Sequence, residues 1–449
     1  MSKGRLPAVA VLTLVFCCAL NVAAYGQLTG VQIDANGVLR LIVYNDPGGR
    51  LMQGRVAAAR RNLDQDIVRR SQMRKISLNR LEKAVADGLA NNRQPTDAMK
   101  NLAGLTRVKY VFFYPETNDI VLAGPAEGWC KDLAGRAVGI HSGRPVVELQ
   151  DLIVALRAFA PGSPNDPFMG VSINPRKEGL RRMQEYLNGL RNIRKTDAPR
   201  IAQSLRETMG MQDVAVHGIS PRTHFAQVLV EADYRMKMIG IGLEMPPVKM
   251  TTYIAKAGRT SASKLQRWYF VPEYECVRVT EDDLAMEMVG DGVKLLTEDQ
   301  LVSADGSRRS SGQTDRASNA FAESFTRTYS KMAKANPLWA QMRNCIDLVV
   351  AVAFIREQGY LDRSGWDLGI FRDEQAYAVE TYEAPAQVET VANVVWKGNL
   401  LMTPVGGGVQ LKPTLALEPR NLLDDEKQRV KKAHDGVDPA KIADRWWWD

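Results

Sequence analysis

Two loops that each contain histidine carry the side chains best suited to bind or react with a small molecule. The first loop is His141-Ser-Gly-Arg-Pro145, and the second runs from His217 to His224. Each loop follows a strand-like segment and leads into a helical one. Ligands collect beyond the carboxyl ends of strands, and helix N-termini present unpaired N–H groups that bind anions. If the two strands are neighbours, both loops border one crevice suited to a phosphate, sulfate or carboxylate group.

The side chains expected to contact this anion are imidazoles, hydroxyls and guanidiniums. The predicted ligand-binding residues are His141, Ser142, Arg144, His217, Ser220, Arg222, Thr223 and His224. In the alternative interpretation, serine, proline and glycine cap helices and form turns, while the histidines and arginines are solvated. The sequence leaves both interpretations open.

The same loops do not define a catalytic centre. No cysteine or third histidine lies close to His217 and His224 in the sequence, so no metal site is predicted, because a structural zinc site needs four ligands. Ser142 and Ser220 lack the Gly-x-Ser-x-Gly elbow of many hydrolases. The run Gly406–Gly408 lacks the Lys-Ser/Thr that follows in a phosphate-binding loop. The catalytic residues are therefore unknown, and no cofactor is predicted.

The strongest compositional anomaly is a basic arm near the N-terminus. Between Arg50 and Lys83 there are ten Lys or Arg residues and three acids. Such a segment binds polyanions by counterion release or adheres to anionic lipid. The predicted polyanion-binding residues are Arg60, Arg61, Arg69, Arg70, Arg74 and Lys75. A solvated helix face packed on the body is the alternative.

The partner expected for this arm is an anionic envelope polymer or a lipid surface. Nucleic acid is not favoured, because the protein is expected to be exported and no aromatic residue interrupts the basic run to stack on bases. A protein partner is a further expectation for Trp446, Trp447 and Trp448 near the C-terminus, unless these side chains dock on the body of the protein.

The first residues have the order of a secretory signal peptide. Lys3 and Arg5 precede an uncharged apolar stretch that ends at Ala24. Cleavage is predicted after Ala24, with Gly26 as the second choice, because both leave small residues where the peptidase reads. A lipoprotein is disfavoured because Phe16 precedes the first cysteine, and an uncleaved anchor is a further alternative. The protein is therefore expected in the periplasm, in the cell envelope or outside the cell.

Composition is that of an ordinary globular protein. The 449 residues are 45% hydrophobic and 24% charged, which excludes a collagen-like, disordered or disulfide-scaffold protein as a whole. Removal of the leader leaves three cysteines and so permits one internal bridge at most. Cys345 lies in an apolar segment and is expected to be a buried thiol. Cys130 with Cys276 is the better candidate for a bridge.

The pattern of elements predicts an α+β fold of mixed hairpins and strand-loop-helix units, with a C-terminal helical hairpin and a small β segment. Ser220 and Pro221 are expected to begin a helix as its N-cap and first residue. The predicted regions are a signal peptide at 1–24, N-terminal hairpins and the basic helical arm at 25–134, a central α/β region at 135–302, a polar linker at 303–318, a helical hairpin plus β segment at 319–420 and a charged tail at 421–449.

Several short segments resemble a secreted protein family of planctomycete bacteria whose domain has no assigned function. They are Arg74–Leu78 (RKISL), Tyr110–Glu116 (YVFFYPE), Ala123–Trp129 (AGPAEGW), Glu231–Lys237 (EADYRMK) and Gly290–Glu298 (GDGVKLLTE). The resemblance covers most of residues 30–410. It implies export from such a bacterium, and it implies no catalytic residue, cofactor or substrate.

The sequence therefore favours a secreted or periplasmic binding or scaffold protein of the cell envelope that binds an anionic ligand or polymer. The alternative is a hydrolase that acts on an anionic or ester substrate through the His141 and His217 loops. Whether the protein is an enzyme is left undecided by the sequence. Binding predicts that the basic arm is sensitive to substitution, whereas catalysis predicts that the two histidines are.

Overall fold

A computed structural model describes residues 28–164, 167–258, 265–303, 305, 307–312, 314–397, 400–436, 439, 442 and 445–449. The predicted signal peptide and both of its cleavage sites lie outside these residues. The described part of the chain forms 13 α-helices and 19 strands in mixed sheets, which confirms the predicted α+β class.

The elements follow one another in this order. The strands are β1 (Leu28–Ile33), β2 (Val38–Tyr44), β3 (Ser71–Ser77), β4 (Tyr110–Tyr114), β5 (Asp119–Ala126), β6 (Trp129–Lys131), β7 (Ala137–Gly139), β8 (Met169–Pro175), β9 (Met211–His217), β10 (Leu265–Pro272), β11 (Val277–Val279), β12 (Ala285–Met288), β13 (Val293–Val302), β14 (Arg308–Ser310), β15 (Gln387–Glu389), β16 (Ala392–Trp396), β17 (Leu400–Leu411), β18 (Leu422–Asp424) and β19 (Trp447–Trp448). The helices are α1 (Arg50–Asn62), α2 (Gln65–Val68), α3 (Leu78–Ala90), α4 (Asp97–Lys100), α5 (Leu149–Ala158), α6 (Lys177–Gly189), α7 (Ala198–Met209), α8 (His224–Gly240), α9 (Tyr253–Lys256), α10 (Arg316–Ala335), α11 (Pro337–Glu357), α12 (Tyr360–Ser364) and α13 (Arg429–Asp435).

Two large sheets and a short ribbon organise these strands. The larger sheet has the order β1-β2-β15-β9-β8-β17-β10-β13-β14, and β16 pairs with β17 beside it. The second sheet has the order β18-β11-β12-β4-β5-β3-β19, and β6 pairs with β7 alone. Most neighbours are antiparallel, but β2 with β15, β10 with β17 and β11 with β18 are parallel. Parallel pairs need long crossovers, so segments distant in sequence meet in one sheet.

The two predicted N-terminal hairpins are confirmed. The turn between β1 and β2 is held by the carboxylate of Asp34, which accepts hydrogen bonds from the N–H groups of Asn36 and Val38. Gly37 closes this turn at a φ of 74°, a left-handed conformation that favours glycine. The β4–β5 hairpin turns through Asn118 at a φ of 58°. Asparagine tolerates that conformation better than most residues do.

The helical hairpin of α10 and α11 is also confirmed, and α11 lies in the core. By length and composition α11 is apolar enough to cross a membrane, but its most apolar window is entirely buried inside the protein. It packs against α5, α8 and α10. Cys345 of α11 is buried as expected. The same helix also buries Gln341, Arg343, Asn344 and Asp347, which are costly to bury unless they have partners.

The basic arm is not helical throughout. Its first part is α1, whose Met52 and Val56 pack against the β6–β7 ribbon. Residues 71–77 of the arm form β3, which pairs with β5 and β19 in the interior of the second sheet, and α3 follows from Leu78. Tertiary pairing therefore overrides the helical expectation for residues 71–76.

The predicted polar linker and helix cap also need correction. Within residues 303–318, Arg308–Ser310 forms β14 and pairs with β13, and α10 already begins at Arg316. The helix predicted from Ser220 begins three residues later. Thr223 is the N-cap of α8, because its hydroxyl accepts a hydrogen bond from the N–H of Ala226.

The predicted cysteine bridge is not formed. Cys130, Cys276 and Cys345 are all free and buried. Burial raises the pKa of the Cys276 thiol to about 12, with Asp347 and Glu273 adding to the shift. A thiol with so high a pKa is a poor nucleophile, so Cys276 serves as a small core residue.

Candidate functional site

A cavity between the second sheet and the α10–α11 hairpin is rich in cationic side chains. Its volume is about 400 Å³. It is lined by Arg107, Lys109, Pro125, Arg144, Gly290, Asp291, Ser330, Ala333, Lys334 and Arg343. We call this cavity the arginine pocket. Five of its ten lining residues are Lys or Arg and one is an acid, so the lining has an excess of positive charge.

Arg107 forms one side of the pocket floor. It precedes β4, and its Nε lies 2.7 Å from Oδ2 of Asp347 on α11. Its Nη2 also donates to the carbonyl oxygen of Gly290 at 2.9 Å. Burial alone would lower the pKa of Arg107, but the attraction of Asp347 outweighs it and raises the pKa. The charge of Arg107 is thus compensated within the protein.

Arg343 forms the other side of the floor, and its charge is compensated less well. Its side chain is 9% exposed. Its Nη1 lies 3.5 Å from Oδ1 of Asp291, and among the described residues its buried Nε has no hydrogen-bond partner. Burial and the nearby charge of Arg107 lower the pKa of Arg343. A buried guanidinium in this state has hydrogen-bonding capacity left for an anion.

The turn between β12 and β13 brings Asp291 into the pocket. Gly290 and Gly292 flank Asp291 and have φ values of 71° and 66°. Both glycines therefore occupy a left-handed conformation that residues with a side chain rarely adopt. A Cβ at Gly292 would also lie 3.2 Å from Oδ1 of Asp347. The two glycines are what allow this acidic turn to approach the two arginines.

The rim of the pocket carries three further cations. Lys109 is 40% exposed, and its Nζ lies 3.3 Å from Oε1 of Glu287. Lys334 is exposed on the last turn of α10, and Arg144 is partly exposed in the loop after β7. No ion pair involves Arg144 or Lys334 within the part of the chain that the structure describes. The rim therefore has positive charge that the described residues do not neutralise.

The first predicted loop contributes only Arg144 to this pocket. Ser142 is engaged by buried Glu127, whose carboxylate accepts hydrogen bonds from the N–H and the hydroxyl of Ser142. The same carboxylate accepts a hydrogen bond from the N–H of His141, while the His141 side chain is exposed. Glu127 thus fixes the loop that presents Arg144.

The second predicted loop does not lie beside the first in a sheet. The first loop follows β7, which pairs with β6 in the ribbon, whereas the second follows β9 in the larger sheet. The condition for a shared crevice, that the two strands are neighbours, is therefore not met. His217 is exposed, and its ring centroid lies 6.0 Å from that of Phe168.

The remaining residues of the second loop form turns and caps. The hydroxyl of Ser220 accepts a hydrogen bond from the N–H of Arg222, and the Ser220 carbonyl accepts one from the hydroxyl of Thr223. The side chain of Arg222 is exposed, and its carbonyl accepts a hydrogen bond from the N–H of Tyr382. These contacts agree with the alternative interpretation, in which the loop residues cap the helix and shape the turn.

His224 lies in a separate buried polar cluster. Its Nδ1 is 2.9 Å from Oδ2 of Asp151 on α5, and its Nε2 is 3.5 Å from Nε2 of Gln341 on α11. Burial alone would lower the pKa of His224, but Asp151 and Glu148 outweigh it and raise the pKa to about 9. The raised pKa favours the protonated imidazole, whose ion pair with Asp151 joins α8 to α5.

The structure separates the residues predicted for polyanion binding into two groups. Arg60, Arg61, Arg69 and Arg70 are exposed. Arg74 is fully buried and Lys75 is 4% exposed, so the prediction is wrong for these two residues. Both lie on β3 between two strands, where a polymer outside the protein does not reach them.

No sequence motif indicates the arginine pocket, because its residues come from segments far apart in the chain. One signal was present. Arg343 and Asp347 are charged residues four positions apart in a segment that is otherwise largely apolar. Charged residues are rarely buried without partners, so their presence in a core helix indicates a built polar site.

Comparison with known proteins assigns a family to one part of the chain. Residues 171–253 match the domain family DUF1598, described as a protein of unknown function. The match confirms the predicted domain of unknown function for this segment. It contains the His217 loop and α8 but none of the residues that line the arginine pocket. No curated protein and no solved structure matches the chain.

Proposed function

We propose that this protein binds an anionic ligand in the arginine pocket and serves as an exported binding or scaffold protein of a bacterial cell envelope. The observation that carries the proposal is Arg343. Its guanidinium is nine-tenths buried, lines a cavity with four other cations, and has Asp291 at 3.5 Å as its one ion-pair partner among the described residues.

Arginine suits this role because of its shape. The planar guanidinium presents N–H groups in a fixed fork that matches the oxygens of a carboxylate, sulfate or phosphate. Burial of a charge without a good partner is unfavourable, and Asp291 at 3.5 Å is beyond the length of a good hydrogen bond. The Nη groups of Arg343 therefore keep hydrogen-bonding capacity for an oxyanion in the cavity.

The proposed location rests on the sequence. The charged, apolar and small-residue order of residues 1–24 is that of a leader cleaved on export, and the sequence resemblance supports a planctomycete source. N-terminal sequencing of the protein from envelope and medium fractions tests this proposal. The expected first residue is Tyr25, or Gln27 for the second cleavage site. Recovery of Met1 on a soluble cytoplasmic protein contradicts export.

The exposed basic face of α1 supports a second contact with the envelope. Arg60 and Arg61 lie on its last turn, and the structure places Arg69 and Arg70 on the surface nearby in sequence. This surface suits an anionic envelope polymer or lipid. The C-terminal tryptophans offer less to a protein partner, because Trp448 is 5% exposed and Trp446 and Trp447 are partly buried.

The hydrolase alternative has less support from the geometry. The raised pKa of His224 favours the protonated imidazole, which cannot act as a general base. Its ring nitrogens face Asp151 and Gln341, neither of which is a nucleophile of the serine or cysteine type. His141 and His217 are exposed and lie in loops that follow strands of different sheets.

The proposal is tested by calorimetric titration of the mature protein with inorganic phosphate and with sulfate at low salt. Arg343→Gln is expected to weaken binding by at least about tenfold, which corresponds to about 1.4 kcal/mol. Lys331→Gln is the matched control, because Lys331 is exposed on α10 and does not line the pocket. It is expected to bind like the parent.

Two outcomes of this titration overturn the proposal. They are a parent protein that binds neither anion, and an Arg343→Gln variant that is folded by circular dichroism and binds as the parent does. If Arg343→Gln fails to fold, Lys334→Gln replaces it. Lys334 is exposed, so its loss is expected to weaken binding a few-fold without an effect on folding.

A further inference from the structure

We infer that the arginine pocket is built for a small ligand with two oxyanion groups, such as a bisphosphorylated metabolite, and not for a single phosphate or sulfate. The inference rests on the proposed function and names the ligand class of the same pocket. It follows from the size of the cavity and from the positions of its cations, some of which lie at the buried floor and others at the exposed rim.

The floor of the pocket accommodates one oxyanion. Arg107 and Arg343 are 16% and 9% exposed, whereas Lys109 is 40% exposed and Lys334 lies on the surface. Asp347 compensates Arg107 at 2.7 Å, so its guanidinium is held in place and its charge is matched. Among the described residues, Arg343 has one ion-pair partner, Asp291 at 3.5 Å. At the floor, the positive charge of Arg343 is therefore only partly compensated by an acidic side chain.

The rim has uncompensated charge of its own. Lys334 is exposed and Arg144 is partly exposed, and neither forms an ion pair with the described part of the chain. Lys109 is less available, because Glu287 lies 3.3 Å from its Nζ. An oxyanion bound at Arg343 leaves the charges of Arg144 and Lys334 unmatched. A second oxyanion on the same ligand matches them.

The size of the pocket agrees with a ligand of this kind. A cavity of about 400 Å³ exceeds the space that one tetrahedral oxyanion occupies, and it falls in the range typical of small-ligand pockets. Pro125 and Ala333 also line the cavity and provide apolar contact for a carbon skeleton. Ser330 adds a hydroxyl group that donates or accepts a hydrogen bond.

The test compares probes that differ by one phosphate. Calorimetry measures the Kd of fructose 1,6-bisphosphate against fructose 6-phosphate, and of pyrophosphate against orthophosphate, in one low-salt buffer. At least one two-group probe is expected to bind about tenfold or more tightly than its one-group partner, because the second group meets the rim cations. The pyrophosphate pair keeps the test independent of the sugar.

Substitutions at the rim and at the floor test which cations cause the tighter binding of the two-group probe. The double variant Arg144→Gln, Lys334→Gln is expected to remove the advantage of the two-group probe over the one-group probe, whose own affinity falls by only a few-fold. Arg343→Gln is expected to weaken the binding of both the one-group and the two-group probe. The control Lys331→Gln removes a positive charge from the same helix as Lys334 and is expected to change neither of the two affinities.

The outcomes separate this inference from the proposed function. Equal affinities within both probe pairs, with binding still dependent on Arg343, overturn the two-group ligand and leave anion binding intact. A two-group advantage that survives in the double variant also overturns it. Absence of binding of all four probes, or binding that does not depend on Arg343, contradicts the proposed function itself.

Discussion

Asp291 holds its carboxylate 3.5 Å from the guanidinium of Arg343, inside the pocket proposed for an anionic ligand. The acid sits on a turn between Gly290 and Gly292 and is 29% exposed. At this distance the interaction is an ion pair without a well-formed hydrogen bond. Asp291 therefore occupies part of the position that a ligand oxygen would take, and it repels an incoming anion.

Removal of this acid is expected to strengthen binding. Asp291→Asn is predicted to tighten the Kd for orthophosphate about fivefold, since loss of one like charge beside the anion is worth on the order of 1 kcal/mol. Calorimetric titration at low salt measures the change. Asp424→Asn, an equal charge change at an exposed residue of β18, is expected to have no effect. Unchanged or weaker binding by Asp291→Asn contradicts the prediction.

The His224–Asp151 ion pair is expected to make stability depend on pH. The pKa of His224 is raised from 6.5 to about 9 in the folded protein. The imidazole therefore favours the folded state fully below about pH 6.5, and this contribution is lost as the pH rises through about 9. Urea unfolding of the parent and of His224→Gln at several pH values between these limits measures the effect.

The expected result is a stability difference between parent and His224→Gln that shrinks by on the order of 2 kcal/mol as the pH rises. Glutamine retains hydrogen-bonding groups but does not titrate, so the variant isolates the protonation of the imidazole. A difference that is constant across the pH range would show that His224 is not protonated in the folded state at neutral pH.

Arg74 is expected to be essential for stability. Its Nε and Nη2 donate to the carboxylate of Asp449 at 2.8 and 3.0 Å. The guanidinium also donates to the backbone carbonyl groups of Asp66, Ile67, Arg69 and Ala103. Arg74→Gln removes most of these bonds and leaves buried acceptors without donors, which costs about 3 to 5 kcal/mol of unfolding free energy. Urea denaturation checks this value.

Arg60→Gln is the matched control for Arg74→Gln. Arg60 is exposed, and substitution of an exposed residue changes the unfolding free energy by less than about 0.5 kcal/mol. Equal stability of the two variants would contradict the structural role assigned to Arg74. The comparison also explains why a test of polyanion binding must leave Arg74 and Lys75 in place.

The exposed basic residues are expected to set the salt dependence of envelope binding. The variant with Arg60, Arg61, Arg69 and Arg70 changed to Gln is predicted to remain folded and to bind anionic surfaces with a flatter salt dependence. On nucleic-acid models each neutralised phosphate contributes about 0.7 to 0.9 log units per log unit of salt, so the slope is expected to fall by up to about 3. Vesicles that contain phosphatidylglycerol, and an anionic wall polymer, are the probes.

The control for this experiment carries the same charge change on other exposed residues. They are Lys331, Lys412, Lys427 and Lys432, each changed to Gln. This control is expected to keep the salt slope of the parent. Identical slopes for the two quadruple variants would show that binding depends on net charge and not on the surface near α1.

Local patterns were enough to predict most elements. The alternation around Asp34–Gly37 predicted the β1–β2 hairpin, and the spacing of Phe321, Phe325 and Tyr329 predicted α10. In both cases the signal lies within a few residues of the chain. The α+β class followed from such segments, because hairpins and amphipathic helices are defined by local periodicity.

The pairing of segments that are distant in sequence could not be predicted from local patterns. Residues 71–76 are as basic as α1, yet they form a buried strand because β5 and β19 flank them and Asp449 accepts from Arg74. For the same reason the arginine pocket was missed, since Arg107 and Arg343 meet only after α11 packs on the second sheet. The His141 loop was expected to provide a ligand group, and the structure places only its Arg144 at the pocket.

The strand order of the larger sheet has a consequence for when this protein can fold. β2 and β9 pair through β15, and β8 and β10 are joined through β17, so central positions are filled by strands made late in synthesis. Until residues 387–411 leave the ribosome, the earlier strands have unpaired edges. Such long-range closure makes folding slow and favours its completion after translation. This order of assembly is compatible with the proposed export, which requires a chain that has not yet folded.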